Sequence, residues 1–339
     1  MKITFLGTSS GAPSRFRNVS AFALQLPQQS SAWLFDCGEA TQHQLMRSPL
    51  RLSQIDRIFI SHMHGDHVFG LPGLLASRSL QAGSTTPVTL YGPPGLQEYL
   101  RRTMDLTQMR LGYPWEVQTI APGLVWEDAR TQIFCTPVVH RIPAFGFAVI
   151  ERDLAGRFDV EKARALDIPA GPVYGRLKDG ETVTLEDGRV IDGKTLTGPI
   201  RPGLKLVYAG DTTYTRNVVE LASDADVLIH EATYLQEDLA LAKRASHSTS
   251  VMAAEVAKQA RVKTLILTHF STRYEGDGGS RLADLLAEAQ AIFPNTMLAR
   301  DQWTHELLRD EDRAEPMASQ DLEAQLPNPT RTAAQQEAS

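Results

Sequence analysis

Apolar or alternating runs predict strands at residues 2–6, 20–26, 32–35, 57–60, 88–91, 131–138 and 145–150, and again at 204–209, 226–230 and 263–268. Helical spacing of apolar positions predicts helices near 38–48, 69–80, 94–105, 249–260 and 280–292. In each half, strands come first and then alternate with helices. That order predicts an α/β protein whose helices cover packed sheets. Two stretches break the pattern. Residues 151–203 are rich in Gly, Pro and charge, as in Gly171-Pro172, Asp179-Gly180 and Asp187-Gly188, with short strand-like pieces such as Thr182-Val183-Thr184-Leu185. They read as an arm inserted into the domain and projecting from it. Residues 309–339 hold Pro316, Pro327 and Pro329 among Ala, Gln, Glu and Ser without apolar periodicity. They are expected to form a disordered tail, which leaves 1–308 as one folded domain.

Composition narrows the class. No apolar run approaches the roughly 20 residues that span a bilayer. The opening Met1-Lys2-Ile3-Thr4-Phe5-Leu6-Gly7 is too short in apolar residues for a signal peptide and reads as a first strand. A cytoplasmic location without a membrane partner is expected. Cys37 and Cys135 are the only cysteines, so neither a disulfide nor a cysteine metal site is expected. The net charge of −6 does not exclude a nucleic-acid partner, because seven acidic and three basic residues fall in 309–339. Local patches decide phosphate binding.

The chemistry concentrates at His62-Met63-His64-Gly65-Asp66-His67, directly after the apolar Ile58-Phe59-Ile60. The chain has nine histidines, and three fall in this one loop. Three imidazoles and a carboxylate suit zinc or a similar divalent cation. A tight loop, with Gly65 easing the turn, can aim all four side chains into one cavity. His140, Asp211 and His269 each follow an apolar run, where open α/β architectures place their sites. Each is weak evidence singly, but together they complete a chemistry. Two cations about 3.5–4 Å apart can clamp a phosphoryl oxygen. Asp211, with two oxygens, can bridge such a pair, and His140 and His269 can complete the separate shells.

The loop 62–67 with His140, Asp211 and His269 resembles the metallo-β-lactamase superfamily. Within it, four further segments resemble the short form of the RNase Z (tRNase Z) family of tRNA 3′-processing endonucleases. His230-Glu231-Ala232-Thr233 is similar to its HEAT motif, and His247-Ser248-Thr249 to its HST motif. Gly171 to Lys178 is similar to its glycine-proline arm, and Pro13-Ser14-Arg15-Phe16-Arg17-Asn18 to its loop near the tRNA 3′ end. The resemblance covers residues 1–308. Ala170 separates Pro169 from the Gly-Pro pair, and Arg15 stands where many relatives have lysine.

The resemblance implies a four-layer αββα sandwich with a protruding flexible arm. It implies two zinc ions per subunit, with manganese suiting the same donors. His62, His64 and His140 would hold one ion, Asp66, His67 and His269 the other, and Asp211 would bridge. A water between the ions would attack, Asp66 would also accept its proton, His247 would protonate the departing 3′ oxygen, and Glu231 would orient His247. The products would be a tRNA 3′-hydroxyl and a trailer 5′-phosphate. Arg15, Arg17 and Asn18 would contact RNA near its 3′ end, and Gly171, Pro172, Gly175, Arg176 and Lys178 would grip the tRNA from the arm. A homodimer acting on precursor tRNA is implied, with no DNA partner. Phe16 is expected to pack, His43 to be exposed, His305 to pack beside Trp303, and Cys37 and Met63 to serve packing. Two alternatives stand beside this reading. One is a phosphodiesterase of the same superfamily acting on small phosphodiesters, for which an arm has no use. The other is a binding module without catalysis, which needs neither Asp66 nor His247.

Overall fold

Alternation along Ala32–Phe35 shows how the layers form: Trp33 and Phe35 point to one side, Leu34 to the other, and all are buried. The same two-sided burial recurs through the central strands, so each sheet has a covered face on both sides. The computed structural model describes residues 1–27, 29–80, 85–276 and 279–309. The compact unit runs from Met1 to Leu307. The expected tail lies outside the described residues from position 310 onward.

The first sheet has seven strands. Beginning at its edge they are Thr304–Glu306, Lys2–Gly7, Ala21–Gln25, Ala32–Phe35, Ile55–Phe59, Val88–Gly92 and Trp115–Thr119. Pairing is antiparallel as far as Ala32–Phe35 and parallel beyond it. The second sheet also has seven: Thr296–Leu298, Thr264–Thr268, Val227–Glu231, Lys205–Tyr208, Ala144–Glu151, Thr131–Val138 and Gly123–Glu127. Here the first four are parallel and the rest antiparallel.

Between the sheets lies an apolar layer of Ile3, Phe5, Trp33, Phe35 and Phe59 from one side, and Ile133, Phe147, Leu206 and Ile229 from the other. Within it, Phe22, Phe35, Phe59 and Tyr91 sit opposite one another on successive strands and stack at 4.8–5.0 Å between ring centroids. Such cross-strand aromatic pairs fix register as well as bury area. Helices Thr41–Arg47, Leu71–Leu80 and Leu96–Leu106 cover the outer face of the first sheet. Helices Arg216–Leu221, Ser250–Gln259 and Leu282–Gln290 cover the second. The result is the expected four-layer αββα sandwich.

The arm contains the short strand expected near 182–185 and, beyond that, helices that the sequence did not reveal. Between Glu151 and Leu204 the chain forms helices Val160–Ala165 and Pro172–Lys178 and a hairpin of Thr182–Thr184 with Val190–Asp192. Ala163, Ile168, Leu177, Val183, Leu185 and Leu196 give it a small core of its own. Its two legs are tied at the base, where Leu154 and Arg201 exchange backbone hydrogen bonds of 2.9 Å and Glu151 N donates to Leu204 O. Single apolar residues among Gly and charge hid this core, because no run of them is long enough to show a period.

Candidate active site

The strand Ile55–Phe59 ends and the chain continues through Ile60-Ser61 to His62, beside the second sheet. Phe145 N donates to Ser61 O at 3.0 Å, which stitches the sheets together there. His62 and His64 sit in a loop. Gly65–Val68 is a short helical turn, so Asp66 and His67 are placed by helix geometry and not by the loop alone. Gly65 plays a part other than the expected one. It does not adopt a left-handed backbone. Instead, a Cβ there would lie 2.1 Å from the Phe69 ring.

The second sheet brings up its residues at strand ends. His140 follows Thr131–Val138, Asp211 follows Lys205–Tyr208, Glu231 closes Val227–Glu231, and His269 follows Thr264–Thr268. Gly210, at φ +66°, has to be glycine because a Cβ would also meet Phe145 O at 3.0 Å. His269 itself takes φ +60°.

Two donor groups result. His62 Nε2 and His140 Nε2 lie 3.0 and 3.1 Å from His64 Nδ1. Nitrogens about 2.0–2.1 Å from a tetrahedral zinc are separated by little more than this. Asp66, His67, Asp211 and His269 form the second group, with donor atoms within 4.8 Å of one another. His269 Nε2 is 3.0 Å and His67 Nε2 3.3 Å from the same Asp211 oxygen, which lies 3.7 Å from His62 Nε2. Asp211 thus stands between the two groups. His67 Nε2 is buried and has no hydrogen-bond partner among the described residues. An orphaned imidazole nitrogen facing two carboxylates fits a cation placed among them.

The outer nitrogens fix how the rings are held. His67 Nδ1 bonds Asp36 Oδ2 at 2.8 Å, His269 Nδ1 the Ser20 hydroxyl at 2.7 Å, His62 Nδ1 the Ser61 hydroxyl at 3.0 Å, and His140 Nδ1 the Ser246 carbonyl at 2.9 Å. With the outer nitrogen engaged, the inner one is turned toward the donor group. Burial alone would lower the His67 pKa, but Asp211, Asp66 and Asp36 outweigh it and raise it, so a cation seated there would displace that proton. Burial, reinforced by neighbouring imidazoles, holds His62 and His64 below the usual histidine range. Burial does the same to His140. The neutral ring is the form that binds metal. Burial alone would raise Asp66 and Asp211, but the adjacent histidines outweigh it and hold both below the carboxylate range.

Asp36 is the residue that sequence reasoning missed. It is fully buried at φ +55° and accepts hydrogen bonds from Ser61 N and Oγ, from Tyr208 OH at 2.6 Å and from His67. An acid directly after the apolar strand 32–35 was the available signal.

Beside the donor groups, Glu231 Oε1 bonds His247 Nδ1 at 2.7 Å. Glu231 is further held by Thr233 Oγ1 at 2.6 Å and Thr212 N at 3.0 Å. Burial alone would lower the His247 pKa, but Glu231 reverses this and lifts it to about 9. Ser248 donates to Thr212 O at 2.6 Å, and Thr249 caps the helix Ser250–Gln259. His247 also lies within reach of His140 and Asp211. A cavity of about 420 Å³ opens onto His64, Asp66, Asp211, His247 and His269.

The residues expected to meet RNA divide. Arg15 is exposed and has no partner among the described residues. Arg17 is spent within the protein: it pairs with Glu275, donates to Thr8 Oγ1 and Ala299 O, and lies over the Phe270 ring. Asn18 is buried, giving Nδ2 to Glu39 O and its N–H to Asp301. These two shape the loop and offer little to a ligand. Phe16 does not pack as expected, being 78% exposed at the loop tip. In the arm, Gly171 at φ +146° caps the helix that Pro172 begins. A Cβ at Gly175 would meet nothing. Arg176 pairs with Glu181 at 2.8 Å, while Lys178 is exposed without an ion pair among the described residues. His43 is exposed, Cys37 buried, Met63 partly buried, and His305 lies 5.5 Å from Trp303 between ring centroids.

Back-to-back mixed sheets with a histidine–aspartate cluster at their shared edge define the metallo-β-lactamase fold. A family described as "Beta-lactamase superfamily domain" matches residues 182–270, and one described as "Anti-Pycsar protein Apyc1" matches residues 1–154. A ribonuclease Z of Picosynechococcus is 58% identical over 301 residues, covering 89% of this chain and 95% of that one. A ribonuclease Z of Brevibacillus brevis is 53% identical over 302 residues, 89% and 95% of the two chains. The crystal structure of human tRNase Z, short form, superposes with a TM-score of 0.65 at 32% identity, covering 91% of this chain and all of that one. The chain belongs to the ribonuclease Z family.

Proposed function

We propose that the protein is an endoribonuclease that removes 3′ trailers from precursor tRNA, leaving a 3′-hydroxyl on the tRNA and a 5′-phosphate on the trailer. The observation that carries the reading is the convergence of two donor groups on Asp211, with a carboxylate-held histidine alongside. His62, His64 and His140 would hold one zinc ion and Asp66, His67 and His269 the other, with Asp211 shared. The ions would supply Lewis acidity toward the phosphoryl oxygens and an activated water at neutral pH.

The protein's own groups do the rest. Asp66 keeps Oδ2 near His67 and His269, where it also accepts a hydrogen bond from Gly11 N at 2.8 Å, and Asp66 would accept a proton from the attacking water. His247, protonated with the help of Glu231, would hand its proton to the departing 3′ oxygen. The arm would hold the tRNA body through Lys178 and the open backbone at Gly175, reading shape more than sequence. A substrate as small as an isolated phosphodiester has no use for a folded arm of this kind, which disfavours that alternative. We further infer a homodimer and a cytoplasmic location. No helix among the described residues is long and apolar enough to cross a membrane.

The test is cleavage of a precursor tRNA carrying a 3′ trailer, with and without chelator, mapping the product ends. Chelator-sensitive cleavage at the base of the trailer is expected. An inert, fully metal-loaded protein would refute the proposal.

A further inference from the structure

Two side chains in the cavity wall have no part in the chemistry above. Phe69 follows the helical turn Gly65–Val68 and lines the cavity with His64, Asp66 and His269, yet the residue is 63% exposed. It is held from beneath, since the ring occupies the space that a Cβ on Gly65 would need. A phenyl ring at the mouth of a polar site offers an open π-face to a ligand. Arg141 directly follows His140 and lines the same cavity. It is exposed and has no hydrogen-bond, ion-pair or ring partner among the described residues. Among the described residues it is also the one lysine or arginine in the cavity wall, whose other ionisable groups are carboxylates and imidazoles. The contrast with Arg17, spent on Glu275 and Thr8, marks Arg141 as a cation held for something outside the chain.

We propose that Phe69 and Arg141 form a subsite for the unpaired nucleotides beside the scissile bond, with Phe69 stacking on a base and Arg141 binding a neighbouring phosphate. This rests on the endoribonuclease reading. Stacking on an aromatic face accepts any base, which suits RNA ends of varied sequence. A guanidinium matches phosphate geometry and keeps its charge at every working pH. The scissile phosphate belongs to the cavity floor, where the donor groups lie. Arg141, on the exposed rim, reaches the next phosphate along.

The test uses metal-loaded protein and the variants Phe69→Leu, Phe69→Trp, Arg141→Ala and Arg141→Lys. Metal content and melting temperature show that each is intact. Binding of a short single-stranded phosphorothioate oligoribonucleotide is measured by anisotropy, apart from any cleavage. Phe69→Leu, which keeps the packing on Gly65 but removes the π-face, should weaken binding about tenfold, and Phe69→Trp should restore it. Arg141→Ala should weaken binding about tenfold and reduce the slope of log Kd against log salt by about one, with Arg141→Lys recovering much of that slope. On precursor tRNA, removing the base beside the scissile phosphate should cost wild type about as much as Phe69→Leu does, and cost Phe69→Leu little more. Unchanged binding and additive losses would overturn the subsite even if cleavage proceeds. Wild type that binds the oligonucleotide through both residues yet leaves precursor tRNA uncut would instead overturn the endoribonuclease reading.

Discussion

Glu231 and His247 are joined by a 2.7 Å hydrogen bond inside a wall that admits almost no water, Glu231 being 1% exposed. Burial and the carboxylate act on the imidazole in opposite directions, and the carboxylate prevails, raising its pKa to about 9. A raised pKa means that the proton is present at neutral pH and is lost as pH climbs through the raised value. Bound cations repel that proton and draw the value below 9. Glu231→Gln keeps an acceptor oxygen but removes the charge. The alkaline limb of kcat should then move to lower pH by about one unit or more, with kcat at pH 8 falling about 10–100-fold and KM nearly unchanged. A pH–rate profile of both proteins checks this, and an unmoved limb would remove His247 as the acid.

Asp36 gathers Tyr208, Ser61 and His67 around one buried carboxylate. Asp36→Ala would leave those donors unpaired and cost about 3–5 kcal/mol of stability. It would also release the outer nitrogen of His67, lowering metal affinity about 10–100-fold in the group His67 belongs to. Metal analysis after dialysis should find the loss in one site before the other.

Removing metal should weaken the fold as well as the chemistry. At free metal a hundredfold above Kd, one site adds about 2.7 kcal/mol. Thermal melts with and without chelator should therefore differ by several degrees, and added zinc should restore the higher transition.

The arm leaves and rejoins the sandwich at adjacent points, Glu151 N being 2.9 Å from Leu204 O. Replacing residues 155–200 by a short glycine linker should leave a folded, metal-binding core. The KM for precursor tRNA should rise about tenfold or more, with hydrolysis of a small phosphodiester retained. Leu177→Ala, in the arm's own core, should loosen only the arm. Its loss of about 2–3 kcal/mol would be seen as local hydrogen exchange and not as a lower global melt.

Much of this was legible in the sequence, for identifiable reasons. The apolar run 263–268 is the strand Thr264–Thr268, buried on both faces, and the alternating stretch 131–138 is the strand Thr131–Val138, buried on one face. Edge strands such as Trp115–Thr119 and Thr304–Glu306 escaped notice because they are short and half exposed. The metal donors stood out because histidine is scarce and each follows a strand. The roles of Arg17 and Phe16 could not be read, because distant packing decides them: Glu275 claims the arginine, and Phe16 stays exposed.

The donor groups draw on both sheets. His62, His64, Asp66 and His67 come from the first, and His140, Asp211 and His269 from the second. Even the supports cross over, with Ser20 holding His269 across 249 positions of sequence. A cation held there would be a fastener between the halves of the chain. Closing so long a loop costs entropy, and the ions return that cost only when both halves have arrived. The first half carries four of the donors and the second half three. Binding that needs both sheets together should therefore slow the unfolding of the loaded protein relative to the stripped one.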